Sequence, residues 1–384
     1  MICCIEPNCP NPENPDGQIY CITCGIKLGQ TPASAPIPAS STRRNFIRRA
    51  SSSIVAVSIY GGVNKYIFST PSFATSKSSP EASSEVSPEV APKPKSSTNL
   101  QTFDFETVTV DVQGNITNHQ RREAQFISED LGSGAILDMV AIPGGSFVMG
   151  SPNTETQRFD SAGPQRTVNI SPFFMGKYEV TQAQYQAVMG NNPSAFKGAK
   201  RPVEQVSWNK AVEFCQKLSQ KTGKTYRLPS EAAWEYACRA GTTTPFYFGE
   251  TITPDLVNYD GNNPYGAAPK GLYRKQTTDV GSFPPNAFGL YDMHGNVWEW
   301  CADLWHPNYQ GASQDGRVWD ESSNDNLDQS NDLLVKTENY NNPIALRRGG
   351  SWYSNPSDCP SAIRNVAPGN AYGGSGFRVV CVAA

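Results

Sequence analysis

Phe283-Pro-Pro-Asn-Ala-Phe-Gly-Leu-Tyr-Asp-Met-His-Gly-Asn-Val-Trp-Glu-Trp300 is the stretch that decides the fold. Apolar and aromatic residues recur in it, but turn-formers break every run: Pro284-Pro285-Asn286, Gly289 and Gly295-Asn296. Only Val297–Trp300 reads as regular structure, a short buried strand. The same texture runs from Gly241 to the end, where Gly, Pro, Asn and Asp punctuate the chain up to a second apolar strand at Gly376–Val382. Such a chain packs its core from loops and short strands.

Upstream, regular elements are clearer. Thr102–Val112 alternates with period two, Gln113-Gly-Asn115 turns, and a polar return strand follows. Ile136–Ile142 is another strand and runs into Pro143-Gly-Gly-Ser-Phe-Val-Met-Gly150. Three helices are expected. One spans Val180–Met189. A second spans Ser207–Lys221, with Ser207 as N-cap and Trp208, Ala211, Val212, Cys215 and Leu218 on one face. The third spans Ser230–Ala240, with Ser230 as N-cap and Gly241 past its end. The class is α+β with little regular secondary structure, in one domain over residues 101–384.

Composition agrees. Charged residues make up 17% of the chain, and it holds 32 Gly and 30 Pro, which favours a loop-rich domain over a helical bundle. Lys plus Arg number 32 against 35 Asp plus Glu, so no global charge points to nucleic acid. Ten cysteines divide into five before residue 25 and five from Cys215 onward.

The first 30 residues carry Cys4-x4-Cys9-x11-Cys21-x2-Cys24-Gly25. Two close cysteine pairs separated by a turn suit a tetrahedral zinc ion, and so short a module needs the metal to fold. A disulfide pair and an unstructured segment are the alternatives. Residues 31–100 are a Ser/Pro-rich linker. Within it, Thr42-Arg-Arg-Asn-Phe-Ile-Arg48 precedes an apolar run ending near Phe68. Residues 42–68 read as a twin-arginine export signal or membrane anchor, or else as a basic linker that leaves the protein cytoplasmic.

Seven motifs occur in fixed order: Pro143–Ser151, Lys177-Tyr-Glu-Val-Thr-Gln182, Pro202–Trp208, Tyr226–Tyr236, Phe283–Trp300, Arg348-Gly-Gly-Ser-Trp352 and Gly376-Phe-Arg-Val-Val380. In these the chain resembles the formylglycine-generating-enzyme (sulfatase-modifying-factor) family over roughly 280 residues, and in particular bacterial members with an N-terminal zinc ribbon. The resemblance implies a C-type-lectin-like fold. It also implies an activity, oxidation of a sulfatase cysteine by dioxygen at a copper(I) held by two thiolates. The family's first cysteine stands three residues after the Gly-Gly-Ser serine and its second stands eight after. Counted from Ser351, these positions are Ser354 and Cys359. A hydroxyl is a hard, neutral ligand and does not replace a thiolate for copper(I), so copper is not expected. Cys359 is then a catalytic residue only under the oxidase reading, and otherwise a packed, inert thiol. Calcium is the other cofactor the family implies. Asn258 matches one site, whose downstream aspartate is lacking, and Asn296 with Glu299 matches a second. His294 lies in a family motif and reads as structural rather than as a base.

Between the last two motifs lies a stretch of small, polar and single aromatic residues. Trp352, Tyr353, Ser354, Asn355, Ser357, Asp358, Ile363, Asn365, Val366, Asn370, Tyr372 and Ser375 are its candidate ligand-binding residues. Tyr, Ser, Gly and Asn are the residues of adaptable binding surfaces. Framed by Gly-Gly-Ser-Trp and Gly-Phe-Arg, the stretch also resembles the variable proteins of diversity-generating retroelements. The expected function is a recognition module that presents these side chains together on one exposed face. Its only basic residue is Arg364, so a protein or carbohydrate ligand is expected and nucleic acid is not. The alternative is a formylglycine-generating oxidoreductase, which Ser354 disfavours.

Overall fold

A computed structural model describes residues 100–320, 344–370 and 373–382. The zinc-ribbon cysteines Cys4, Cys9, Cys21 and Cys24, the 42–68 segment and Tyr372 lie outside the described residues.

An N-terminal hairpin comes first. β1 (Gln101–Val110) pairs antiparallel with β2 (Ile116–Asp130), as the alternating pattern and the Gln113-Gly-Asn115 turn predict. β3 (Ile136–Ile142) continues the sheet, and β4 (Gly145–Met149) pairs with β5 (Arg166–Ile170) in a small ribbon. β6 (Phe173–Gly176) is wholly buried.

The three expected helices form. α1 (Gln182–Met189) opens with a capping box between Thr181 and Gln184. α2 (Trp208–Thr222) is capped by Ser207 and buries Trp208, Ala211, Phe214, Cys215 and Leu218. Tyr185 of α1 stacks on Phe214, with ring centroids 5.6 Å apart. After β7 (Tyr226–Arg227), α3 (Glu231–Arg239) is capped by Ser230, and all nine of its residues are buried. Ala240, ahead of Gly241, already takes a left-handed conformation at the end of α3.

The C-terminal half supplies β8 (Trp298–Leu304), β9 (Ile344–Arg348), β10 (Asn365–Pro368), β11 (Ser375–Gly376) and β12 (Val380–Val382). The apolar stretch expected as one strand over Gly376–Val382 is therefore two. β11 pairs with β8, while β12 crosses into the other sheet. The described sheets are a six-stranded one, β1-β2-β3-β6-β12-β7, a four-stranded one, β10-β9-β8-β11, and the β4-β5 ribbon. The described residues form an α+β fold with little regular secondary structure, as expected.

Buried ion pairs tie these layers together. Arg348, at the end of β9, donates to Glu235 (2.5 Å) and Glu231 (3.2 Å) of α3. Arg364 grips Glu231 with two bonds, at 2.6 and 2.9 Å. Arg378 does the same to Glu299, whose Oε2 also accepts the Trp234 indole N–H. Paired in this way, buried charges fix one arrangement of helix, strand and loop.

Candidate functional site

The site begins where β9 ends. Arg348 is locked to α3, and Gly349 and Gly350 follow with φ of +92° and +80°. A Cβ on Gly350 would stand 2.6 Å from the Cys359 sulfur, so glycine is required there. The turn carries the chain out to Ser351-Trp-Tyr-Ser354. Three backbone bonds hold it: Trp352 N–H to Asn296 O (2.9 Å), Ser354 N–H to Ser351 O (3.0 Å) and Asp260 N–H to Ser354 O (3.0 Å).

Two aromatic side chains emerge from this turn, both half-buried. Trp352 meets Tyr353 edge-on at 5.0 Å. Phe196 also stands edge-on to Trp352, at 5.2 Å, and Tyr273 lies nearly parallel to it, 6.2 Å away. The four rings form one continuous aromatic platform. The Tyr353 hydroxyl donates to Gly373 O (3.1 Å), and Asn355 accepts a bond from Asn263 (3.0 Å), so the platform's edge is fixed by polar contacts. Phe196 and Tyr273 were not legible in the sequence, because they sit in irregular loops far from Trp352 and no period marks them.

The remaining candidate residues do not share one exposed face. Asn355 and Asn370 are exposed, and Ser357 and Asp358 are half-buried in a short 3₁₀ turn over Pro356–Asp358. Ser354, Ile363 and Ser375 are 3%, 2% and 0% exposed, so they belong to the interior. The reason is β10, which pairs with β9 and draws the middle of the stretch into the sheet. On that strand Val366 is half-buried, and Asn365 accepts a bond from Arg347 Nε (2.7 Å). Ser375 binds Arg347 Nη1 (2.8 Å). Arg364 turns inward to Glu231.

The oxidase chemistry finds little support here. Ser354 Oγ accepts the Ser351 N–H (3.0 Å) and lies 3.1 Å from Ser351 Oγ, so it is spent on its own turn. Cys359 is fully buried, and burial pushes its thiol well above the usual range, with nearby Asp358 adding to the effect. A protonated, inaccessible thiol is neither a nucleophile nor a copper ligand. Cys238 is alike, raised by burial to about 12. His294 is not a base. Burial drives its pKa down to about 3, its Nδ1–H donates to Cys359 O (2.7 Å), and its Nε2 accepts the Tyr247 N–H (3.3 Å). Both ring nitrogens are occupied in pinning the loop.

Of the three residues matched to calcium, two come together. Asn258 Nδ2 donates to Asn296 Oδ1 (3.2 Å), and Asn296 Nδ2 donates to Glu179 (3.2 Å). Buried Asn258 Oδ1, Glu179 Oε2 and Asp292 Oδ1 have no hydrogen-bond partner. These are hard oxygen atoms of the kind calcium takes. Glu299 does not fit, since Arg378 and Trp234 use both of its oxygens. Among the described residues no three His, Cys, Asp or Glu side chains are placed to hold a metal ion.

This fold, with its fixed Gly-Gly turn and aromatic platform, defines a lectin-like scaffold of the sulfatase-modifying type. The sulfatase-modifying factor enzyme 1-like domain matches residues 129–383, and the chain belongs to that family. The formylglycine-generating enzyme of Thermomonospora curvata is 30% identical, the match covering 45% of this chain and 74% of that protein. The inactive Cα-formylglycine-generating enzyme 2 of Bos taurus is 29% identical, over 49% of this chain and 77% of the relative. Among solved structures, variable protein 1 of Treponema denticola superposes with a TM-score of 0.51 at 26% identity, covering 67% of this chain and 99% of the other.

Proposed function

We propose that this chain is a non-enzymatic recognition module that binds a protein or carbohydrate ligand on the platform of Trp352, Tyr353, Phe196 and Tyr273, with Asn355 at its edge. One observation carries the reading. The position that needs a copper thiolate is Ser354, bonded back to Ser351, and the remaining Cys359 is buried and protonated. The kinship to an inactive family member and to a variable protein supports it. A half-exposed cluster of Trp and Tyr on a rigid base is also the composition of binding hot spots. The residues between Trp352 and Gly376 are the ones we propose to be diversified by a retroelement, the exposed ones above all. The experiment is affinity capture followed by binding measurements on Trp352→Ala with Tyr353→Ala. Loss of binding with an intact fold supports the reading, and unchanged binding refutes it.

From the sequence we further propose that Cys4, Cys9, Cys21 and Cys24 hold one zinc ion and that residues 42–68 direct export or membrane anchoring. Elemental analysis of the full chain and of Cys21→Ser tests the first. A reporter fusion with Arg43→Lys and Arg44→Lys tests the second.

A further inference from the structure

Beside the platform, Arg201, Leu272, Tyr273, Arg274, Gln276, Thr277, Thr278, Asp279 and Ser282 line an open depression of about 590 Å³. Tyr273 is shared between the two, lining the depression and stacking against Trp352. The loops around it are rich in cations. Lys197, Lys200 and Arg201 come from one loop, and Lys270, Arg274 and Lys275 from the other, while Asp279 is the only carboxylate between 270 and 282. None of these six cations is in the ion pairs found among the described residues. The loops are joined by Val280 N–H to Lys200 O (2.9 Å), and Arg201 Nη1 reaches Thr277 O (2.5 Å) and Gln276 Oε1 (3.2 Å). The cations therefore stand on a braced frame.

Arg274 is the most telling. Its guanidinium lies over the Phe283 ring, 5.2 Å from the centroid, which holds it in place. Its Nη1 is buried and donates to nothing. The guanidinium as a whole lines the depression with no carboxylate paired to it among the described residues, so an anionic acceptor placed there would meet it with a charge-assisted bond. Resting on the recognition reading above, we infer that this depression receives the carboxylates of an acidic segment of a protein partner, whose apolar side chains lie on the neighbouring platform. Two features favour a polypeptide over a glycan or nucleic acid. The apolar rim residue Leu272 is 61% exposed, and the platform unites Trp and Tyr with adjacent Arg, the residues that anchor protein interfaces.

The test uses the full chain and a short fluorescent poly-glutamate peptide, read by anisotropy. A poly-lysine peptide, a sulfated oligosaccharide and a single-stranded oligonucleotide serve as comparisons. The wild type is expected to bind poly-glutamate, with affinity falling as salt rises. Arg274→Gln is expected to weaken binding roughly tenfold or more, the worth of one bond to a charged group. Exposed Lys275→Glu should weaken it without touching the core, so a folding defect cannot explain the loss. No binding of poly-glutamate, or binding by both variants as tight as by the wild type, overturns the inference. Tighter binding of the sulfated oligosaccharide or the oligonucleotide overturns the partner class. A platform ligand that Trp352→Ala releases but Arg274→Gln leaves untouched would sink this inference alone and leave the recognition reading standing.

Discussion

The Trp352 ring lies within 18° of parallel to the Tyr273 ring, 6.2 Å away, although 78 residues separate them in the chain. That contact joins the C-terminal turn to the 270–282 loop and makes one surface of two segments far apart in the chain. Because the Trp352 and Tyr353 rings are half-buried and rest on a rigid turn, they can be removed without opening the core. Replacing Trp352 and Tyr353 together by Ala is expected to abolish ligand binding while lowering Tm by no more than about 5 °C. Thermal melts and binding isotherms on the same preparation check this. A large fall in Tm would make the two residues structural.

Arg348 should behave in the opposite way. It is fully buried between Glu231 and Glu235, so Arg348→Met leaves buried carboxylates undercompensated. The expected cost is about 3–5 kcal/mol, read as a lower urea midpoint at unchanged slope. A neutral result would mean that Arg239, whose Nε donates to Glu235 (2.8 Å), and Arg364, on Glu231, carry the carboxylates alone.

A pH dependence follows from Asp292. Burial raises its carboxyl from 3.8 to about 7, although Gly281 N–H donates to it at 2.6 Å. Glu179, also buried and close to Asp292, is raised as well. For an acid raised on folding, the native state holds the extra proton. The stability this contributes is complete below the unfolded pKa and is lost as pH climbs through 7. Asp292→Asn keeps the acceptor, and Asn tolerates the φ of +56° found there. Between pH 5 and pH 8 in EDTA, wild-type Tm should therefore fall relative to the variant. Parallel curves would show that the carboxyl is ionised in the fold. Added calcium should narrow the gap at pH 8 if Asp292 Oδ1 and Asn258 Oδ1 serve a cation.

Much of the fold was legible because its signals are local. Ser207 and Ser230 announce helices through the caps they make, and the first hairpin declares itself by alternation and one turn. The surface was less so. Ile363 and Ser375 share the composition of a binding loop, yet the pairing of β10 with β9 and Arg347's need for partners bury them. Glu299 matched a calcium motif, but nothing local reveals that Arg378, 79 residues on, claims both of its oxygens. Arg274 and Arg201 belong to the site only through the folding of distant loops, so a count of charges between Trp352 and Gly376 missed them.

Recognition in place of oxidation, as proposed above, leaves a sulfatase cysteine untouched. The purified chain, supplied with copper(I) and dioxygen, is incubated with a peptide bearing the sulfatase cysteine motif, and the peptide is weighed by mass spectrometry. With Ser354 bonded to Ser351 and Cys359 sealed in the core, the peptide thiol should remain unchanged. Formylglycine appearing at the cysteine, at a rate dependent on Cys359, would contradict the account.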